Sequence, residues 1–219
     1  LPVWYLRLTL FNLRRTLMNK SFIIKIIVFC LVTIKASAIE KVILFGDSLM
    51  AGYGLPNEQH LSVVLQNSLE LEGYNIEIVN GSVSGSTSSG GLNIAEWTLS
   101  ESNIDLMILC LGANDMLRGI NPKETKNNLE EIIKIAKNKN IKVIIAGMIA
   151  PTSYGSNYKK SFDKIFYDLS KKYKLQLIPF LLEGVAQKPE FNLSDGMHPN
   201  DQGTIIIGNT LKIAILENL

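Results

Sequence analysis

From residue 41 onward, short runs of apolar, β-favouring residues alternate with segments of helical periodicity. Lys41-Val42-Ile43-Leu44-Phe45 reads as a buried strand stopped at Gly46. Residues 59–72 place Leu61, Val64, Leu65 and Leu69 on one face of a helix. Residues 76–79 form a second strand pattern, and a Ser/Gly-rich loop over 80–91 leads to a helix near 92–101. Residues 106–111 are almost wholly apolar and read as a third strand. Pro122 sits where proline is favoured, in the first turn of a helix that runs to about 139. A fourth strand at 143–146, a helix near 157–173, a fifth strand at 175–178 and a last helix over 202–217 complete the pattern. Strands that are apolar on both faces and separated by helices imply an α/β fold, with a parallel sheet covered on both sides. The Ser/Gly stretch is not a linker, because the alternation continues on either side of it.

The first 38 residues are a different object. They hold six basic residues (Arg7, Arg14, Arg15, Lys20, Lys25 and Lys35) and no acid, which leaves 16 basic against 20 acidic residues, a net charge of −4, in the rest. Met18-Asn19-Lys20-Ser21 is a short positive start, residues 26–34 an uncharged apolar run, and Ala36-Ser37-Ala38 the small-x-small pattern of a cleavage site. The expectation is a signal peptide over 18–38, cleaved after Ala38, and a periplasmic domain over 39–219. An uncleaved N-terminal membrane anchor is the alternative, although the apolar run is short of the roughly 20 residues that a spanning helix needs. Residues 1–17 precede a complete signal and read as an upstream extension. The whole chain of 219 residues carries a net charge of only +2, which argues against a nucleic-acid partner bound through phosphates. Of the two cysteines, Cys30 lies in the signal, so the exported part keeps Cys110 alone, inside an apolar strand, and no intramolecular disulfide.

Downstream of the signal there are two histidines. His60 opens a helix beside Glu58 and reads as a surface residue. His198 lies in Asp195-Gly196-Met197-His198-Pro199, where an aspartate three residues back across a glycine can fold round to accept the Nδ1 proton and leave Nε2 as a base. Alone, that pattern fits a helix cap or half a metal site equally well. Ser48, in Gly46-Asp47-Ser48-Leu49, stands at the carboxyl end of the first strand, where a side chain meets a bound ligand. The second strand is followed by Asn80-Gly81-Ser82-Val83-Ser84-Gly85 and the third by Gly112-Ala113-Asn114-Asp115. A glycine N–H and an asparagine amide are suitable donors to a developing oxyanion. Each could be turn chemistry alone; their placement after successive strands is harder to ascribe to chance. No metal and no cofactor is called for, as no second histidine or cysteine cluster accompanies the site. There is no Gly-x-Ser-x-Gly elbow of the α/β-hydrolase kind.

These four blocks, in this order and over nearly all of 41–217, resemble the SGNH or GDSL hydrolases. The resemblance implies a flavodoxin-like three-layer sandwich with a five-stranded parallel sheet of order 2-1-3-4-5. It implies Ser48 as nucleophile, His198 as general base and then acid, and Asp195 as the residue that orients it. The oxyanion hole would comprise the Ser48 N–H, the Gly85 N–H and the Asn114 amide. Strand 5 would lie three positions from strand 1, roughly 14 Å at the usual strand spacing, so the segment 180–198 has to be a packed loop that returns His198. Relatives often carry glycine where this chain has Ala113; if that position needs positive φ, alanine costs about 1 kcal/mol. Ser86 stands where some relatives have an acid.

The activity implied is hydrolysis of acyl esters and thioesters, of the arylesterase, lysophospholipase or thioesterase type, on a small-molecule substrate. A carbohydrate O-deacetylase and a catalytically inactive binding domain of the same fold are the alternatives. Met116, Leu117, Ile120, Met148 and Ile149 are candidates for an acyl pocket, and Arg118 for contact with an anionic head group.

Overall fold

The computed structural model describes residues 39–219. The signal-peptide and start-site expectations fall on residues 1–38, outside the described residues. Five strands, β1 (Lys41–Gly46), β2 (Glu77–Asn80), β3 (Leu106–Cys110), β4 (Lys142–Ala146) and β5 (Gln176–Ile178), form one parallel sheet of order β2-β1-β3-β4-β5. The helices are α1 (Ser48–Ala51), α2 (Leu61–Leu71), α3 (Ser88–Thr98), α4 (Ala113–Leu117), α5 (Pro122–Asn138), α6 (Ser156–Tyr173) and α7 (Asp201–Leu216).

Why these layers form follows from burial and handedness. β3 is buried along its whole length, and β1 from Val42 onward, so both sheet faces need cover. The chain moves from β1 to β2 in one direction and from β2 through β3, β4 and β5 in the other. Right-handed crossovers therefore place α2 on one face and α3, α5 and α6 on the other. α2 packs against α7, α3 against α5, and α5 against α6.

Two stretches differ from the sequence expectation. α3 begins at Ser88, inside the Ser/Gly segment expected to be loop. Thr87 caps it, its hydroxyl accepting from the Gly90 N–H, and Gly91 lets the helix lie on Leu111, Phe45 and Ile132. His60 is half-buried, not a surface residue: its Nε2 lies 3.0 Å from the Leu55 carbonyl, and its ring fills the space where a Cβ on Gly52 would stand.

The segment from Pro179 to Asn200 is packed. Leu181, Leu182 and Val185 are buried, Asn192 and Pro199 form an isolated antiparallel bridge, and the Asn192 amide donates to the Val185 and Lys188 carbonyls. It reaches α7 at Gly203, where an added Cβ would stand 2.2 Å from the Phe191 carbonyl oxygen. Gly203→Ala should therefore cost about 1–3 kcal/mol by overpacking. Gly208→Ala in the same helix meets only ordinary contacts, the nearest at 3.5 Å, and should be neutral or stabilise by up to about 1 kcal/mol. Urea unfolding of both variants checks this; equal effects of the same sign would contradict it.

Candidate active site

Three loops at the carboxyl ends of β1, β2 and β3 meet where the chain reverses direction across the sheet, the usual ligand position in such folds. After β1, Asp47 caps α1, its carboxylate accepting the Leu49 N–H at 3.1 Å, and Ser48 is the first helical residue. After β2, Gly85 takes φ of 79°. After β3, Gly112 takes φ of 117° and Ala113 opens α4. Positive φ falls on the glycine and not on Ala113, so the strain considered for Ala113 does not arise.

The packed segment after β5 brings His198 back to Ser48. His198 Nε2 lies 3.0 Å from Ser48 Oγ, and His198 Nδ1 lies 2.7 Å from Asp195 Oδ2. Asp195 Oδ1 accepts the backbone N–H groups of Met197 at 2.8 Å and His198 at 3.0 Å. The His198 N–H most of all, then the Met197 N–H, and the imidazole as well, hold the Asp195 carboxyl down at about 2. A carboxylate charged throughout the neutral range keeps the imidazole proton on Nδ1, and the free Nε2 faces the hydroxyl. Tyr53 lies against the imidazole, ring centroids 4.5 Å apart and planes inclined by 39°. Nothing in the sequence around Tyr53 signalled this contact.

Asn114, on the first turn of α4, donates from Nδ2 to the Ser86 carbonyl at 3.1 Å and to Asp47 Oδ2 at 3.3 Å. Among the described residues neither the Ser48 N–H nor the Gly85 N–H has an acceptor, and both residues line the same cavity as Asn114 and His198. Asp47 is buried, with 1% exposure. Burial pushes its carboxyl up to about 6, against the pull of the Leu49 N–H and the Asn114 amide. Burial also raises the Cys110 thiol, which lies at the end of β3, and leaves it in the neutral form. Among the described residues no group of three or more His, Cys, Asp or Glu side chains could hold a metal ion.

The cavity beside Ser48 measures about 600 Å³. Of the six candidates for contact with substrate, Met116, Leu117, Met148 and Ile149 line it. Arg118 and Ile120 do not. The Arg118 guanidinium donates to the Gly85 carbonyl at 3.1 Å, and the Ile120 carbonyl accepts from the Tyr158 hydroxyl at 2.9 Å. Phe180, Leu182 and Ala186 also line the cavity. They come from the segment after β5, which has no periodicity to mark which side chains face the site.

Residues 44–204 match the GDSL-like lipase/acylhydrolase family. An arylesterase of Vibrio mimicus is 37% identical over 177 residues, 81% of this chain and 88% of that one. The thioesterase 1/protease 1/lysophospholipase L1 of Escherichia coli K12 is 32% identical over 170 residues, 78% of this chain and 80% of that one. The crystal structure of TesA superposes with a TM-score of 0.78 at 32% identity, covering 82% of this chain and 100% of that one.

The position of Asp47 has a measurable consequence. Its ordinary value is 3.8 and its folded value about 6, so it favours the folded state fully below 3.8 and loses that contribution as pH rises through 6. Between pH 4 and pH 8 the wild type should lose about 2 kcal/mol relative to Asp47→Asn. Urea midpoints of both proteins at the two pH values check this; parallel pH dependence would contradict it.

Proposed function

The chain belongs to the GDSL-like lipase/acylhydrolase family and is an ester- and thioester-hydrolysing enzyme, and we propose that Ser48, His198 and Asp195 are its catalytic triad. One observation carries this reading: the continuous line from Ser48 Oγ through the imidazole to Asp195, with contacts of 3.0 Å and 2.7 Å.

The chemistry runs in two halves. His198 Nε2 takes the Ser48 proton as Oγ attacks the acyl carbonyl, and the tetrahedral oxyanion is met by the N–H groups of Ser48 and Gly85 and by the Asn114 amide. The imidazolium, steadied by Asp195, then protonates the departing alcohol or thiol. Water attacks the acyl-enzyme by the same route in reverse and frees the acid. The Asn114 amide has two hydrogens and already serves Ser86 and Asp47, so the oxyanion shares or replaces one of those acceptors.

The acyl group lies along the apolar wall formed by Met116, Met148, Phe180 and Leu182. A cavity of about 600 Å³ is larger than an acetyl group needs and suits a medium or long acyl chain. The substrates are then lipid-derived esters, with thioesters as a further class, and no observation favours the deacetylase or the inactive binding domain. The domain acts in the periplasm after cleavage behind Ala38. No helix among the described residues is long and apolar enough to cross a membrane.

Hydrolysis of p-nitrophenyl esters from acetyl to palmitoyl tests the reading. Medium or long chains should be preferred, Ser48→Ala should approach background, and Asn114→Ala should lose about 100- to 1000-fold in kcat. An acetyl-only preference, or activity that survives in Ser48→Ala, would overturn it. N-terminal sequencing of the periplasmic protein should begin at Ile39; a start at or before Met18 would overturn the export reading.

A further inference from the structure

The Gly85 N–H is carried by a loop, and a loop donor is useful only if it is held in place to a few tenths of an ångström. Two side chains of one short helix and a third from the residue that follows it do the holding. From α4, Asn114 grips the Ser86 carbonyl at 3.1 Å, and Arg118, just past the end of α4, grips the Gly85 carbonyl at 3.1 Å. Between them, Asp115 Oδ2 accepts the Ser88 N–H at 2.7 Å, and Asp115 Oδ1 accepts the Ser88 hydroxyl at 2.5 Å. Gly85, Ser86 and Ser88 are thus fastened to the helix that bears Asn114 and to the residue that follows it.

Asp115 is the buried centre of this fastening. It is 1% exposed, and Ser88 and Thr125 beside it are 0% exposed. Thr125 donates to Asp115 Oδ1 at 3.0 Å from α5, and the Asn128 amide donates to Ser88 Oγ at 3.0 Å. Among the described residues no Lys, Arg or His forms an ion pair with Asp115. A buried carboxylate without a cation is a poor device for stability, because desolvation opposes it and apolar packing of the same volume serves as well. What a fully satisfied polar cluster supplies is a fixed geometry. Here the fixed distance lies between the residue after Asn114 and the residue three after Gly85.

We propose that Asp115 is a positioning residue of the oxyanion hole, locking the Gly85 loop to the α4 turn so that two donors from different strands converge on one oxygen. This rests on the triad reading above. It also gives Ser88 a purpose that its sequence context, a Ser/Gly run, does not reveal.

The test separates geometry from folding by counting active sites. Wild type, Asp115→Asn, Ser88→Ala and Thr125→Val are titrated to completion with a fluorophosphonate, and kcat and KM for a p-nitrophenyl ester are expressed per titrated site. Asp115→Asn should lose roughly 100-fold in kcat, the scale of a 1 Å misplacement, with KM changed less than twofold. Thr125→Val removes the α5 contact, leaves the link to Ser88, and should lower the urea midpoint while kcat per site stays within twofold. In an Asn114→Ala background the cost of Asp115→Asn should shrink to a few-fold, since the hole it aligns is already incomplete. If Asp115→Asn does not fold, Ser88→Ala carries the test with an expected loss of about tenfold. A kcat per site within twofold of wild type in the folded variant, or full additivity with Asn114→Ala, overturns the proposal. Absence of Ser48 labelling in the wild type overturns the triad reading instead.

Discussion

β1 is hydrogen-bonded along both edges, to β2 from Lys41 to Leu44 and to β3 from Val42 to Gly46. The geometry of the site depends on that placement. A central strand with neighbours reached by crossovers in opposite directions leaves a crevice at its carboxyl end. Ser48 stands in that crevice, with Gly85 on one side and Asn114 on the other. The apolar runs that make the strands central are the same residues that bury the sheet, so the core and the site are set by one pattern. The cost is a set of polar groups at the boundary of the core. Asp47, which caps α1 after β1, and Asp115, in α4 after β3, are both buried carboxylates, and each is hydrogen-bonded to a neighbouring element of the site.

His198 and Asp195 come from elsewhere in the chain. β5 is at the far edge of the sheet, and the segment after it must cross back to Ser48 while staying rigid enough to aim an imidazole. Its rigidity is bought with buried Leu181, Leu182 and Val185, the bridge from Asn192 to Pro199, and a glycine at 203 that lets the Phe191 carbonyl touch α7. The same segment forms one wall of the cavity beside Ser48 through Phe180, Leu182 and Ala186. The shape of the cavity and the position of the imidazole are therefore coupled through one stretch of chain.

Much of this was legible in the sequence because it rests on local patterns. Strand-helix alternation marked every strand to within a residue or two, and the four polar blocks at strand ends marked Ser48, Gly85, Asn114, Asp195 and His198, which the fold brings to one crevice. What was not legible rests on contacts distant in sequence. The start of α3 was hidden because serine and glycine are poor helix formers, and the helix there is secured by the Thr87 cap and by Asp115, 27 residues on. Ala113 looked strained because its backbone conformation could not be told apart from that of Gly112. Arg118 and Ile120 sit close to the cavity residues in sequence, but past the end of α4 the Arg118 guanidinium donates to the Gly85 carbonyl and the Ile120 carbonyl accepts from Tyr158. The contact of Tyr53 with the imidazole spans 145 positions and leaves no local trace.

The central claim is that Ser48 is the group that becomes acylated, made nucleophilic by His198. The most direct measurement is to map, by peptide mass spectrometry, the residue modified by a fluorophosphonate, and to compare labelling rates in wild type and His198→Ala. The account predicts a single adduct on Ser48 that forms far more slowly without the imidazole. An adduct on another side chain, or labelling of Ser48 at an undiminished rate in His198→Ala, would contradict it.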